Sequence, residues 1–393
     1  MISTNKDKLL TAIFKYMWII ILLPKMLQFV VYSLIVLYVL LKDRVSLNKV
    51  SILFITGGFI QIAAIFFQLI FNNTDLTRTL AGFNTALIWV VAAIYYSMFT
   101  QYKNREELLK YVRINLLILF SIYLLYLAIK VQKIHILGYT LTLSSNDYLS
   151  SGKTTRFNGL MGTVIAPSHL LCMSIPFLLL DEDKKNDLLN IFCCLLGFIA
   201  VVATHSRMGL LIVGAMMFLM IRRYLINIAG YGMVSRLDFL LVVGVICGVI
   251  VFYKEIADKF IDFFYSRSGS NGARFMIYRE SIKKVLDTNP VFGVGIKYML
   301  ETGGGYSYPL GSHCTYIGIL YKTGIIGAFV YLSAFIETLK AVWKNIKTNR
   351  NGLTIMAMIL CYFVFLIFAD LDGSNWVIVS MFAFWGLLSY EKG

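Results

Sequence analysis

Charge is scarce in this sequence. Only 15% of its 393 residues are Asp, Glu, Lys or Arg, against 59% hydrophobic, and such a balance leaves too little polar surface for a soluble globular domain. Acids are the scarcer sign, 21 against 36 bases, for a net charge of +15. There is no continuous basic face or basic helix, so the excess does not point to nucleic acid. It fits Lys and Arg gathered in cytoplasmic loops of a membrane protein. Metal-site cysteine spacing is missing too. Cys172, Cys193, Cys194, Cys247 and Cys361 lie in apolar runs, where Cys behaves as a small hydrophobe, and Cys314 stands at a helix start. The stretch from Met1 to Lys8 leads into an apolar run without a small-residue cleavage site, so no cleaved signal peptide is expected.

What is present is a series of apolar runs. They fall near 9–23, 26–41, 50–71, 79–100, 113–130, 158–180, 188–204, 206–221, 237–253, 313–339, 353–369 and 375–390, which predicts an all-α polytopic membrane protein of about 12 transmembrane helices. The whole chain, 1–393, reads as one integral membrane domain. Pro24-Lys25 splits the first two runs, and Pro167 and Pro176 are expected to kink the sixth. Lys and Arg crowd alternate loops, including 42–49, 101–113, 222–236 and 340–350. This places both termini in the cytoplasm and the intervening loops outside.

The longest outward loop, about 254–312, interrupts this pattern with polar residues. It carries Arg267, Arg274 and Arg279, and it ends at His313. Within it ARFMIYRESIKKVL repeats Phe275, Tyr278, Ile282 and Val285 at helical spacing, predicting a short amphipathic helix that lies in the headgroup region and stops at Thr288-Asn289-Pro290. Pro290, Gly293 and Gly295 read as a turn, since an isolated GxG on the outer face has no strand–helix context for a nucleotide. Gly303-Gly304-Gly305 suits a flexible lid or gate.

His313 is the first candidate for chemistry. It opens the tenth apolar run, and the positive end of a helix favours neutral imidazole, the form that can act as a base. Arg274 and Arg207 are next. Two guanidinium groups can hold a diphosphate bidentately and stabilise it as it leaves. Arg156 is a third outward cation, and Arg267 and Arg279 are further candidates for substrate binding. Asp370-Leu371-Asp372 has a suggestive spacing, but two solvated loop carboxylates are expected there.

The segments RFNGLMGTVIAP, THSRMGLL, GARFMIY, NPVFGVG and SHCTYIGILYKTGIIG, in this order and placement, resemble the O-antigen ligase and Wzy polysaccharide polymerase superfamily. By motif the resemblance runs from about residue 156 to 330. It implies a GT-C-like enzyme acting on polyprenyl-diphosphate-linked glycans at the outer membrane face. The family's general base then falls on His313, and its diphosphate-binding arginines on Arg207 and Arg274. Pro290, Gly293 and Gly295 match the family's turn, and Gly324 and Gly327 its small residues beyond the histidine. Many members follow the histidine with Asn, where this chain has Cys314.

The expected function is a polysaccharide polymerase joining undecaprenyl-diphosphate-linked repeat units for a capsule, exopolysaccharide or O-antigen, with inversion. No cofactor or metal is expected, because the first outer loop, Pro24-Lys25-Met26, has no acid. The expected partners are the lipid-linked oligosaccharide and membrane lipids, with a flippase and a chain-length regulator alongside and no nucleic acid. A ligase passing finished glycan to another acceptor shares donor and motifs. A transporter or flippase would show internal repeats and a midplane charge site. No repeat is evident, and Lys15, Lys322 and Glu337 read as lying near helix ends.

Overall fold

A computed structural model describes residues 5–71, 75–102, 104–130, 133–136, 139–142, 144–149, 152–157, 161, 163–181, 184–236, 238, 240, 268–301 and 307–390. The helices are α1 (Asn5–Lys15), α2 (Met17–Leu22), α3 (Lys25–Lys42), α4 (Lys49–Phe71), α5 (Leu76–Thr100), α6 (Arg105–Ala128), α7 (Ala166–Leu178), α8 (Asp187–Ala203) and α9 (Arg207–Ala229). After these come α10 (Ser268–Thr288), α11 (Thr315–Ile346), α12 (Gly352–Phe365) and α13 (Asn375–Leu388). The chain is polytopic and overwhelmingly helical. Among the described residues three small antiparallel hairpins decorate the helices: β1–β2 (Lys133–Ile136 with Tyr139–Thr142), β3–β4 (Ser144–Leu149 with Gly152–Phe157) and β5–β6 (Met299–Glu301 with Ser307–Pro309).

Six described helices, not twelve, are long and apolar enough to cross a membrane: α3, α4, α5, α6, α9 and α11. Four more of the predicted runs form shorter apolar helices, α7, α8, α12 and α13. The reason is clearest in α7 and α13, in which every residue is buried. A helix enclosed by protein has no lipid to span, so its ends can turn within the bundle. The first run breaks at Tyr16, where Asn115 of α6 accepts a hydrogen bond from the Trp18 N–H at 2.8 Å. Pro167 stands in the first turn of α7, where it starts the helix instead of kinking it. The run at 237–253, apart from residues 238 and 240, and the glycines at 303–305 lie outside the described residues.

The core gathers around α5 and α13, with Phe54, Trp89, Tyr331, Phe335 and Phe382 meeting mostly edge to face. At one end of the bundle lie the starts of α3, α5, α11 and α13, the segment before α11, and α10.

The apolar stripe predicted for α10 is divided. Val285 packs inward, whereas Phe275 and Ile282 are exposed. The inward face is Ile277, Ser281 and Val285, all buried. A serine in that face breaks the apolar pattern, and it is there because its hydroxyl is used, as described next.

Candidate functional site

The site is built on a broken helix. Gly324, at φ 63° and ψ −166°, interrupts α11. The break frees carbonyls that lipid could not satisfy, and the segment after α10 takes them. Val294 N–H donates to the Tyr321 carbonyl at 2.8 Å and Gly295 N–H to that of Lys322 at 3.0 Å. In return Ile325 N–H donates to the Pro290 carbonyl and Ile326 N–H to that of Val291. The glycines in NPVFGVG thus serve contact as well as turning. A Cβ on Gly293 would lie 2.4 Å from the Gly324 nitrogen, and one on Gly295 2.7 Å from that of Ile65. This segment sets Lys297 beside the part of α11 that precedes the break.

His313 is fixed from two sides. Gly311 N–H donates to Ser281 Oγ at 2.8 Å, and Tyr278 Oη donates to the His313 carbonyl at 3.0 Å. Thr315 N–H lies 3.0 Å from both the Leu366 and Ala369 carbonyls, and its hydroxyl donates to Ala369. Held in this way, His313 takes the left-handed conformation at φ 64°. Such a conformation is rare for a non-glycine residue and clusters at functional sites.

The surroundings set the ring's charge. Burial lowers the His313 pKa below the ordinary imidazole value, and the charges of Arg274 and Lys297 lower it further against the opposing pull of Asp370. Arg274 lies one helical turn before Tyr278 and is half-buried. The structure therefore brings Arg274 to His313. Arg207 comes from another helix. It opens α9, half-buried, after Thr204-His205-Ser206, and His205 is itself left-handed at φ 52°. A Cβ on Gly209 would lie 2.2 Å from Ser168 Oγ in the first turn of α7, and one on Gly373 would lie 3.4 Å from Thr163 just before α7. These contacts put Arg207 at the same end of the bundle as residues 370–373.

Arg279 is exposed. Arg156 pairs with Ser145 through the β3–β4 hairpin, its side chain outside the description, and Arg267 lies outside the described residues. Cys314, in the place often taken by Asn, is buried at the N-cap of α11.

Asp370 and Asp372 are not the solvated pair expected. Lys297 Nζ lies 2.8 Å from Asp370 Oδ2 and 3.3 Å from Asp372 Oδ2, and Asp372 also pairs with Lys322. Both Lys322 and Asp372 are buried. Lys322 does stand near a helix end, at the break in α11, but in a buried ion pair. Burial alone would push the Asp372 carboxyl up; Lys322 and Lys297 more than offset it and hold the carboxyl well below its usual range. Lys297 is likewise held above the usual lysine range, where Asp370 and Asp372 outweigh burial. Lys25 donates to the Asp372 carbonyl at 2.5 Å. Among the described residues no three His, Cys, Asp or Glu side chains gather as metal ligands would.

Sequence reasoning missed Lys297, Asp370, Asp372 and Lys25 as site residues, along with the two α10 side chains that hold the histidine segment. The available signals were the Asp-x-Asp spacing and a lysine two residues before the helix-breaking Gly324.

No curated protein matches this chain. Residues 192–332, a stretch that contains Arg207, Arg274 and His313, match the family model Wzy_C, O-Antigen ligase, and this bears out the resemblance to the O-antigen ligase and Wzy polymerase superfamily.

Proposed function

We propose that the chain is a polysaccharide polymerase that joins repeat units carried on undecaprenyl diphosphate at the outer face of the cytoplasmic membrane. The hydroxyl oxygen of one lipid-linked repeat attacks the anomeric carbon of the glycan on the other carrier. The carbon–oxygen bond to the diphosphate breaks, the diphosphate keeps the electron pair, and the hydroxyl proton passes to His313. Arg274 and Arg207 neutralise the departing diphosphate. A single direct displacement inverts the anomeric centre. The observation that carries this reading is His313, clamped in a left-handed conformation beside Arg274, with its ring biased toward the neutral form.

The test is the polysaccharide profile, by gel and mass spectrometry, of cells with and without this chain. Single lipid-linked repeats that accumulate without it, with polymer restored by its return, are expected. Full-length polymer left unattached to its acceptor would assign the ligase reaction instead, and a profile unchanged by deletion would sink both. Within the site, Arg274→Gln is expected to slow transfer by about 10- to 100-fold, the scale of hydrogen bonds to a charged group. Lys283→Gln, exposed on the same helix, should change it less than about twofold, since surface substitutions away from such features are near neutral. Equal losses in the two variants would show that α10 acts only through its general charge.

A further inference from the structure

Between the starts of α3 and α5, with Lys297 on its wall, lies a cavity of about 280 Å³. Lys25, Arg78, Lys297 and Lys322 line it, against the single carboxylate of Asp372. Lys297 and Lys322 are matched by Asp370 and Asp372. That leaves Lys25 and Arg78. Lys25 reaches a carbonyl, the oxygen of Asp372, which does not neutralise an ammonium. Among the described residues Arg78 has a loose, exposed pairing with Asp75 at 3.9 Å, and its guanidinium lies 5.9 Å from the Tyr298 ring centroid. The one carboxylate in the lining, Asp372, thus serves Lys322, Lys297 and Lys25 together, while the partner of Arg78 is exposed and distant, so cations outnumber carboxylates around the cavity and it suits an anion.

The rim indicates how that anion arrives. Asn84 of α5 meets Met26 of α3 at the cavity, Nδ2 to Sδ at 3.7 Å. From this point Met26, Val30 and Leu34 recur every four residues on α3, all exposed, and Leu80 and Leu87 flank Asn84 on the exposed side of α5. Both helices are long and apolar enough to cross the membrane. A cationic pocket therefore opens onto an apolar seam, which fits a phosphate head on a hydrocarbon chain better than a free phosphate.

We infer that this pocket is a second lipid-phosphate site, separate from the Arg274–His313 site, and that it holds the diphosphate of the second lipid-linked substrate. The two sites are joined by Asp370, which acts on His313 and pairs with Lys297. Lys25, Arg78 and both aspartates lie outside residues 192–332, the stretch matched by the family model. The assignment to a second substrate rests on the function proposed above; the presence of a lipid-phosphate site does not.

The test uses the full chain in nanodiscs of phosphatidylcholine, titrated with farnesyl diphosphate. Two equivalents are expected to bind. Arg78→Gln should weaken one of them about tenfold, the scale of one charge-assisted contact, and Arg78→Lys should restore much of it. Arg78 is partly exposed, so this variant should leave the fold intact, as the second equivalent would report. Arg274→Gln should weaken the other equivalent. In turnover, Arg78→Gln should raise the KM for lipid-linked repeat units and leave kcat nearly unchanged, as for loss of uniform binding. A single equivalent that Arg78→Gln does not affect would overturn the site. If phosphatidylglycerol in the disc abolishes the Arg78-dependent equivalent, the pocket is one for bulk lipid headgroups and the second-substrate assignment falls. Arg78-dependent binding in a chain whose deletion leaves cellular glycan unchanged would keep the site and remove the polymerase reading. Normal Arg78→Gln kinetics in a working polymerase would do the reverse.

Discussion

His313→Asn is expected to slow glycan transfer by about 10²- to 10⁴-fold, the contribution of a positioned general base. Asparagine is the informative replacement. It accepts the left-handed backbone that His313 occupies at φ 64° better than most residues, so the clamp from Tyr278 and Ser281 should survive, but it cannot take a proton. The pH dependence adds a second readout. The lowered pKa keeps the ring neutral at pH 7, so the wild-type rate should hold as pH falls past the ordinary imidazole value and decline only below it. The groups facing the ring fix the sign of the variants. Loss of Arg274 removes a cation and raises the pKa, which moves the acid limb to higher pH; loss of Asp370 removes an anion and moves it lower. A His313→Asn protein that stays within tenfold of wild type, with the same acid limb, would show that the proton goes elsewhere.

The parts of this site that were legible in the sequence are local ones. Arg274, the NPVFGVG turn and His313 lie in one polar stretch of an apolar chain, and short motifs suffice to mark them. The lysine–aspartate cluster was not legible because its members come from distant segments. Lys25 and Asp372 are 347 positions apart, and Lys297 meets Asp370 across 73. Read locally, each is an ordinary loop charge. Only packing shows that Asp372 is buried between lysines. Helix α10 failed for another reason. Its buried face contains Ser281, which hydrophobic periodicity counts against that face, although the hydroxyl is what holds Gly311. The apolar runs marked helices well but not their lengths, since burial in protein and contact with lipid both select apolar residues.

Gly324→Ala should be the most damaging substitution for folding, with a loss on the order of 3 kcal/mol or more. At φ 63° and ψ −166° this residue occupies a region reserved almost entirely for glycine. Space is lacking as well. A Cβ would lie 2.3 Å from the Val291 carbonyl oxygen and 2.5 Å from the Gly293 nitrogen, both backbone atoms that cannot swing aside. To relieve the clash, the segment after α10 must leave α11, and the carbonyls of Tyr321 and Lys322 then lose the partners that made the break tolerable. Lys297 would leave Asp370 and Asp372 with it. Thermal unfolding in detergent and the amount of protein recovered from membranes should both fall sharply. Gly214→Ala is the matched control, since its Cβ would meet only the Phe198 ring at 3.8 Å within α9, and it should be neutral or stabilising by up to about 1 kcal/mol. If the two variants unfold alike, the segment 290–297 is not wedged into the break in α11, and the placement of Lys297 beside Asp370 and His313 loses its structural basis.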